Sequence, residues 1–183
     1  MIWNTIQNIF RIEELRQRIY FTLAILFVFR LGAHIPTPGI DGVALTAFFE
    51  AQQGSILRFF DMFTGGALAR LTVFALGVMP YISASIIMQL LTVVFPYLER
   101  LSKEGEAGRK KITIYTRYGT IVLSLVQAFG ISAGLESMAA PDGSPVVIST
   151  MNTWGFRGLT VITLTAGTAF LMWVGEQINE RGI

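Results

Sequence analysis

The sequence predicts an all-α polytopic membrane protein with four membrane-spanning helices and a short apolar helix that re-enters from one side. Three observations carry this. Hydrophobic residues make up 52 % of the 183 residues and charged residues only 14 %, against roughly 25 % charged in soluble domains. Mean hydropathy is +0.57. The charges are also segregated, leaving long uncharged runs at 71–95, 118–135 and 158–175, and a fourth at 19–35 interrupted only by Arg30. The longest run, at about 25 residues, makes ~37 Å of helix, enough to cross a ~30 Å hydrocarbon core with tilt. A soluble bundle would have no polar faces left for water.

Residues 1–18 form a cytoplasmic segment. Its charges and the lack of a small-residue cleavage pattern argue against a signal peptide, and Trp3, Ile6, Ile9 and Phe10 share one face of an interfacial amphipathic helix. The first span is 19–35, and Pro36-Thr37-Pro38-Gly39 ends it. An outer connection, 36–70, follows. Within it Ile56-Leu57-Arg58-Phe59-Phe60-Asp61-Met62-Phe63 is too short to span and too apolar to float in water. The residue pattern leaves two readings, a short helix at about 57–66 packed back into the protein or a loop on the lipid surface, with Gly65-Gly66 as its terminator and hinge. The second span is 71–95. Pro80, with Gly77 three residues earlier, predicts a kink or break there. Residues 96–117 are a basic connection, 118–135 the third span, 136–157 an outer loop with a Pro141-Asp142-Gly143 turn, 158–175 the fourth span and 176–183 a cytoplasmic end.

Orientation follows from the basic residues. Arg11, Arg16, Arg18, Arg100, Lys103, Arg109, Lys110, Lys111, Arg117 and Arg181 fall on one side, and Arg58, Arg70 and Arg157 on the other. The first set marks the cytoplasm, so both termini are cytoplasmic. Arg30 then sits in the outer half of its helix, where its stem can snorkel outward. The six bases of 96–117 are sufficient as ordinary positive-inside charge, and also suit a docking surface for an acidic or RNA-containing partner.

Little in the spans can do chemistry. There is no cysteine, and the single histidine, His34, sits at a helix end. Apart from His34, at the end of the first span, the runs hold no carboxylate, histidine or lysine, so no catalytic residue, metal site or cofactor is assigned. Ser85, Gln89 and Thr92 form a polar stripe that faces a neighbouring helix or a watery cavity. Gln127 lies amid apolar residues, ahead of Gly130 and Gly134 in a GxxxG packing pattern. Thr160, Thr163, Thr165 and Thr168 can each bond their own helix backbone. The physics points to a conduit or scaffold. A small-molecule secondary transporter with broken helices is the alternative, and it lacks the usual midplane carboxylates.

Several motifs together resemble the SecY family of bacterial protein-conducting channels. Phe60-Asp61-Met62-Phe63-Thr64-Gly65-Gly66 is similar to its plug region, and Gly77-Val78-Met79-Pro80-Tyr81-Ile82-Ser83-Ala84-Ser85 to its second membrane helix. Lys103-Glu104-Gly105-Glu106-Ala107-Gly108-Arg109-Lys110-Lys111 resembles the loop before its third helix, and Gly175-Glu176-Gln177-Ile178-Asn179-Glu180-Arg181 the end of its fourth. The resemblance implies the first four helices, about the N-terminal half, of a ten-helix channel, stopping before the fifth. It implies a pore ring contributed by Val78 and Ile82, and a plug including Leu57, Phe60, Phe63, Thr64, Gly65 and Gly66. It places Ser83, Ile87, Gln89 and Gln127 at a lateral gate. A ring of aliphatics suits a pore whose cargo carries every side chain, because it excludes water and ions yet yields to a chain. The implied setting is the bacterial plasma membrane. The implied partners are SecE, SecG, the SecA motor or a ribosome with its nascent chain, the translocating polypeptide and its signal sequence, the lipid bilayer, and the remainder of the channel chain.

Overall fold

A computed structural model describes residues 12–51, 59, 61, 62, 65–141, 143–148 and 152–182. Residues 1–11 of the expected amphipathic segment lie outside the described residues, as do Leu57, Phe60, Phe63 and Thr64. The described chain is built from helices: α1 (Glu13–Gly32), α2 (Gly42–Ala51), α3 (Met79–Val94), α4 (Pro96–Lys103), α5 (Glu106–Glu136) and α6 (Thr153–Arg181). Helices α5 and α6 are long and apolar enough to cross a membrane, and α3 with α4 forms a third candidate bent by 100°. Helix α1 is 20 residues long, or ~30 Å, but carries Glu13, Glu14, Arg16 and Arg18 at its start and Arg30 near its end.

The antiparallel pair α5–α6 is the centre of the bundle. Small and hydroxyl side chains line the buried face of α5, at Thr116, Thr120, Ser124, Ala128 and Ser132, and Thr160, Leu164, Gly167, Thr168 and Leu171 are buried on α6. Lipid supplies no hydrophobic drive between helices, so close backbone approach and packing must hold the pair. The α5 hydroxyls bond back to their own helix, as Thr120 Oγ1 does to the Thr116 carbonyl at 2.8 Å. On α6 the behaviour differs from expectation. The buried hydroxyls of Thr160, Thr165 and Thr168 have no hydrogen-bond partner among the described residues.

The four charges that bound the two uncharged runs pair crosswise. Arg117 meets Glu176 (Nε to Oε1 2.8 Å, Nη2 to Oε2 2.6 Å), and Arg157 meets Glu136 (3.0 and 2.5 Å). Both pairs are two-pronged, the geometry in which a guanidinium and a carboxylate bind best. Along each helix the bridges are about 19 residues apart, or ~28 Å, close to the hydrocarbon thickness. The Arg157 guanidinium also lies 5.4 Å from the Trp154 ring and 5.9 Å from that of Phe129. Reversing Arg157 alone to Glu is expected to lower the thermal midpoint, and adding Glu136→Arg to recover most of it. A full thermal double-mutant cycle checks this, and additive losses would show that the pair is not coupled.

At the α2 end, Pro36-Thr37-Pro38-Gly39 leaves the helical path as expected and pairs on both sides. Pro36 bridges Thr72, and Ile40 bridges Val147. Asp41 then caps α2, its Oδ1 accepting from the Val43 and Ala44 amides at 2.9 and 3.2 Å. The turn at 140–144 closes through Gly143 N–H to the Ala140 carbonyl, 2.8 Å. Beneath this layer lies the main apolar core, with Leu45, Leu71, Leu76, Leu135, Val146, Phe156 and Leu164 all buried.

Two stretches differ from the expected layout. Only 79–94 of the 71–95 run is helix, and 71–78 is a chain of turns. Residues 96–117, read as a connection, are mostly helical. Pro96 starts α4 at its first position and forces Phe95 into an extended conformation (φ −98°, ψ 115°), which breaks α3 from α4. A Glu99–Lys103 ion pair at 2.5 Å, four residues apart with the acid first, supports α4.

Candidate functional site

The unwound arm 71–78 positions the residues that the sequence singles out. It enters through Leu71, whose φ of +38° is rare outside glycine, and leaves through Gly77 at φ +57°. Non-helical backbone at membrane depth is tolerated only where protein satisfies it. Here five of the eight amides of 71–78 bond protein carbonyls. Leu71 N–H bonds Leu68 O at 3.0 Å, Thr72 N–H bonds Ala67 O at 2.9 Å and Val73 N–H bonds Ile35 O at 3.0 Å. Ala75 N–H bonds Thr72 O at 2.9 Å, and Gly77 N–H bonds Phe74 O at 2.8 Å. Pro80 falls in the first turn of α3, where a missing N–H costs nothing, and Ile82 N–H to Val78 O at 3.0 Å is an opening helical bond.

Val78 and Ile82 are one turn apart and stay 48 % and 44 % exposed. They border an open apolar groove of about 360 Å³ with Tyr81, Leu171, Met172 and Gly175. Helix α3 meets α5 through small residues, since a methyl on Gly119 would lie 3.7 Å from Ala84 Cβ. Much of its remaining surface is uncovered apolar side chain, with Ile82, Ile86, Ile87, Leu90 and Val93 all exposed.

The gate candidates do not converge. Ser83 is half-buried, and Ile87 and Gln89 are exposed on α3. The polar stripe satisfies itself, Gln89 Nε2 donating to Ser85 Oγ at 3.4 Å and Thr92 Oγ1 to the Gln89 carbonyl at 2.6 Å. Gln127 instead lines a separate apolar cavity of about 430 Å³ with Leu45, Leu71 and Leu76. It lies on the far side of the Ala84–Gly119 contact from Gln89, roughly 20 Å away along the axes.

In the stretch that the motif resemblance reads as a plug, Phe59, Asp61 and Met62 have helical backbone. Gly66 N–H bonds Asp61 O at 2.9 Å and Gly65 N–H bonds Met62 O at 3.1 Å, with both glycines left-handed (φ +81° and +66°). That is the Schellman termination the Gly pair suggests. The Asp61 carboxylate accepts from the Ala69 amide at 2.8 Å, tying this turn to the stretch that leads into the arm.

Sequence reasoning misses the contacts that hold the arm in place. Phe74 is buried and stacked between Phe29 of α1 (5.6 Å) and Phe170 of α6 (5.8 Å), with ring planes within 6°. Trp173 extends the row at 6.0 Å from Phe170. Nothing local marks these rings as partners, because they come from three separate elements.

A family model described as SecY matches residues 72–183. The Protein translocase subunit SecY of Escherichia coli (strain K12) is 54 % identical over 93 % of this chain and 38 % of its own length. That of Pseudomonas aeruginosa is 53 % identical over 94 % and 37 %. That of Aquifex aeolicus is 50 % identical over 97 % and 41 %. The chain belongs to the SecY family. It spans about two fifths of the length of these curated SecY relatives. Family membership gives no support to the small-molecule transporter reading. The resemblance drawn from motifs covers the same stretch as the SecY family match and extends it toward the N-terminus.

Proposed function

We propose that this chain forms part of a protein translocation channel, conducting unfolded secretory polypeptides across the bacterial plasma membrane and releasing apolar segments sideways into lipid. The observation that carries the reading is the pair Val78 and Ile82. They are two aliphatic side chains at the start of α3, uncovered within this chain, on a helix that begins at a backbone break beside a groove. In this reading they are this chain's share of a constriction that the remainder of the channel completes. The stretch ending at Gly65-Gly66 is the plug, with Leu57, Phe60, Phe63 and Thr64 in its body. Ser83, Ile87, Gln89 and Gln127 serve the lateral gate. The spans are 19–35, 71–95, 118–135 and 158–175, with the N-terminus and residues 96–117 cytoplasmic. SecE and SecG would complete the complex, and SecA or a translating ribosome would supply the driving force, so the chain itself needs no catalytic group.

The test uses the full-length channel in proteoliposomes. Asn at Val78 and Ile82 together is expected to raise resting ion leak, because a polar pair lets water wet the constriction. Unchanged conductance would remove both residues from the ring. A photo-crosslinker at Ile82 should also capture a stalled secretory polypeptide, and a crosslinker at Trp173, exposed on α6, should not.

A further inference from the structure

We infer that Gly167 of α6 and the ring of Phe74 are positioning residues that set where Val78 stands in the closed channel. The inference rests on the pore reading of Val78 and Ile82 and adds the contacts that place them. The Val73 carbonyl lies directly on the Gly167 backbone. A methyl at Gly167 would be 2.0 Å from Val73 O, 2.9 Å from its carbonyl carbon and 2.9 Å from Val73 Cγ1. The obstacle is therefore main chain, which cannot rotate aside like a side-chain tip. One residue later, Phe74 fills the space over Gly32, where a methyl would be 2.2 Å from Phe74 Cε2. Its two stacking partners come from α1 and α6.

The arm is thus gripped at Val73–Phe74 from both neighbouring helices. From there to Val78 the path is short and stiff. Gly77 N–H is bonded to the Phe74 carbonyl at 2.8 Å, and Val78 directly precedes α3. Turns have no long ladder to absorb a displacement. A shift at the grip therefore passes to Val78, whereas the same shift made deeper in α3 would be spread over its helical bonds. Ile82, bonded through its amide to the Val78 carbonyl at 3.0 Å, moves with it.

The experiment compares resting ion conductance of the full-length, partner-bound channel in planar bilayers for Gly167→Ala, Phe74→Leu, Phe74→Tyr and Ile82→Asn. Thermal midpoints are measured on the same preparations. Gly167→Ala and Phe74→Leu are expected to leak several-fold more than wild type, while Phe74→Tyr, which keeps the stacked ring, stays closed. A merely structural role would lower the midpoint without opening the resting channel. If Ile82→Asn leaks and Gly167→Ala and Phe74→Leu stay closed, the positioning role is overturned and the pore reading survives. If Ile82→Asn itself stays closed, the pore reading falls and this inference with it. Should Gly167→Ala fail to accumulate, Phe74→Leu against Phe74→Tyr decides the matter.

Discussion

Phe156→Ala is expected to destabilise the full-length protein by about 3 kcal/mol, the lower end of the range for buried Phe truncations. Phe156 is fully buried near the start of α6, in the same cluster as Leu45, Leu76, Leu135 and Leu164. It precedes the uncharged stretch 158–175 and lies at the α2 end. Deep in lipid, the water-to-core transfer component of such a mutation vanishes, because the unfolded reference is already in hydrocarbon. What remains is the cavity component, the contacts that flanking atoms lose outright when a ring is removed. At the edge of the apolar slab part of the transfer component returns, which sets the figure near 3 rather than 5. The measurement is the unfolding midpoint in detergent micelles, with Val43→Ala as the reference. Val43 is 82 % exposed on α2, so its truncation should fall within about 0.5 kcal/mol of wild type. Equal midpoints for the two variants would show that the core at the α2 end does not stabilise the bundle.

The uncharged stretches 118–135 and 158–175 were legible as helices because both hydropathy and length are local properties. Their bounding charges were legible too, but not that Arg117 would find Glu176 and Arg157 would find Glu136. Pairing depends on the antiparallel register of two helices, which no window of sequence contains. Residues 71–78 show the opposite failure. They are as apolar as a helix, and hydropathy measures the solvent a segment prefers, not its backbone path. Only Gly77 and Pro80 carried a signal, and they marked where the helix starts, not how far the turns extend before it. In α4, the Glu99–Lys103 spacing and Pro96 at the first helical position were readable signs of helix that a count of positive charge overlooked. The i, i+4, i+7 spacing of Ser85, Gln89 and Thr92 makes the polar stripe on α3 legible, but not that its hydrogen bonds run within itself. For the site, i, i+4 spacing puts Val78 and Ile82 on one face, while their exposure beside the groove at the backbone break, which supports the proposed role, needs the fold. The grip on the arm left no trace, since Phe29, Phe74 and Phe170 are far apart in sequence and each is an ordinary apolar membrane residue alone.

Gly108→Val is expected to cost about 3 kcal/mol by overpacking and to lift α4 from α5. Gly108 is buried in the early part of α5, and a methyl there would be 1.7 Å from the Leu101 carbonyl oxygen, 2.8 Å from its carbon and 3.1 Å from Glu104 Cβ. Helix α4 has little freedom to yield. Its start is fixed by Pro96, and the Leu101 carbonyl is already held by the Glu104 amide at 3.2 Å. Gly105 at φ +75° makes the return into α5. Separation is thus the available relaxation, and it uncovers Leu101, which is only 3 % exposed in the folded chain. The loss should appear in the unfolding midpoint, and limited proteolysis should cut the 103–106 corner faster than in wild type. Gly108→Ala should show the same change to a smaller degree, since the first carbon already meets the carbonyl. A wild-type midpoint together with wild-type proteolysis for the valine variant would mean that α4 does not rest on α5 at this glycine. Intact proteolytic resistance with a lowered midpoint would place the strain inside α5 instead of at the corner.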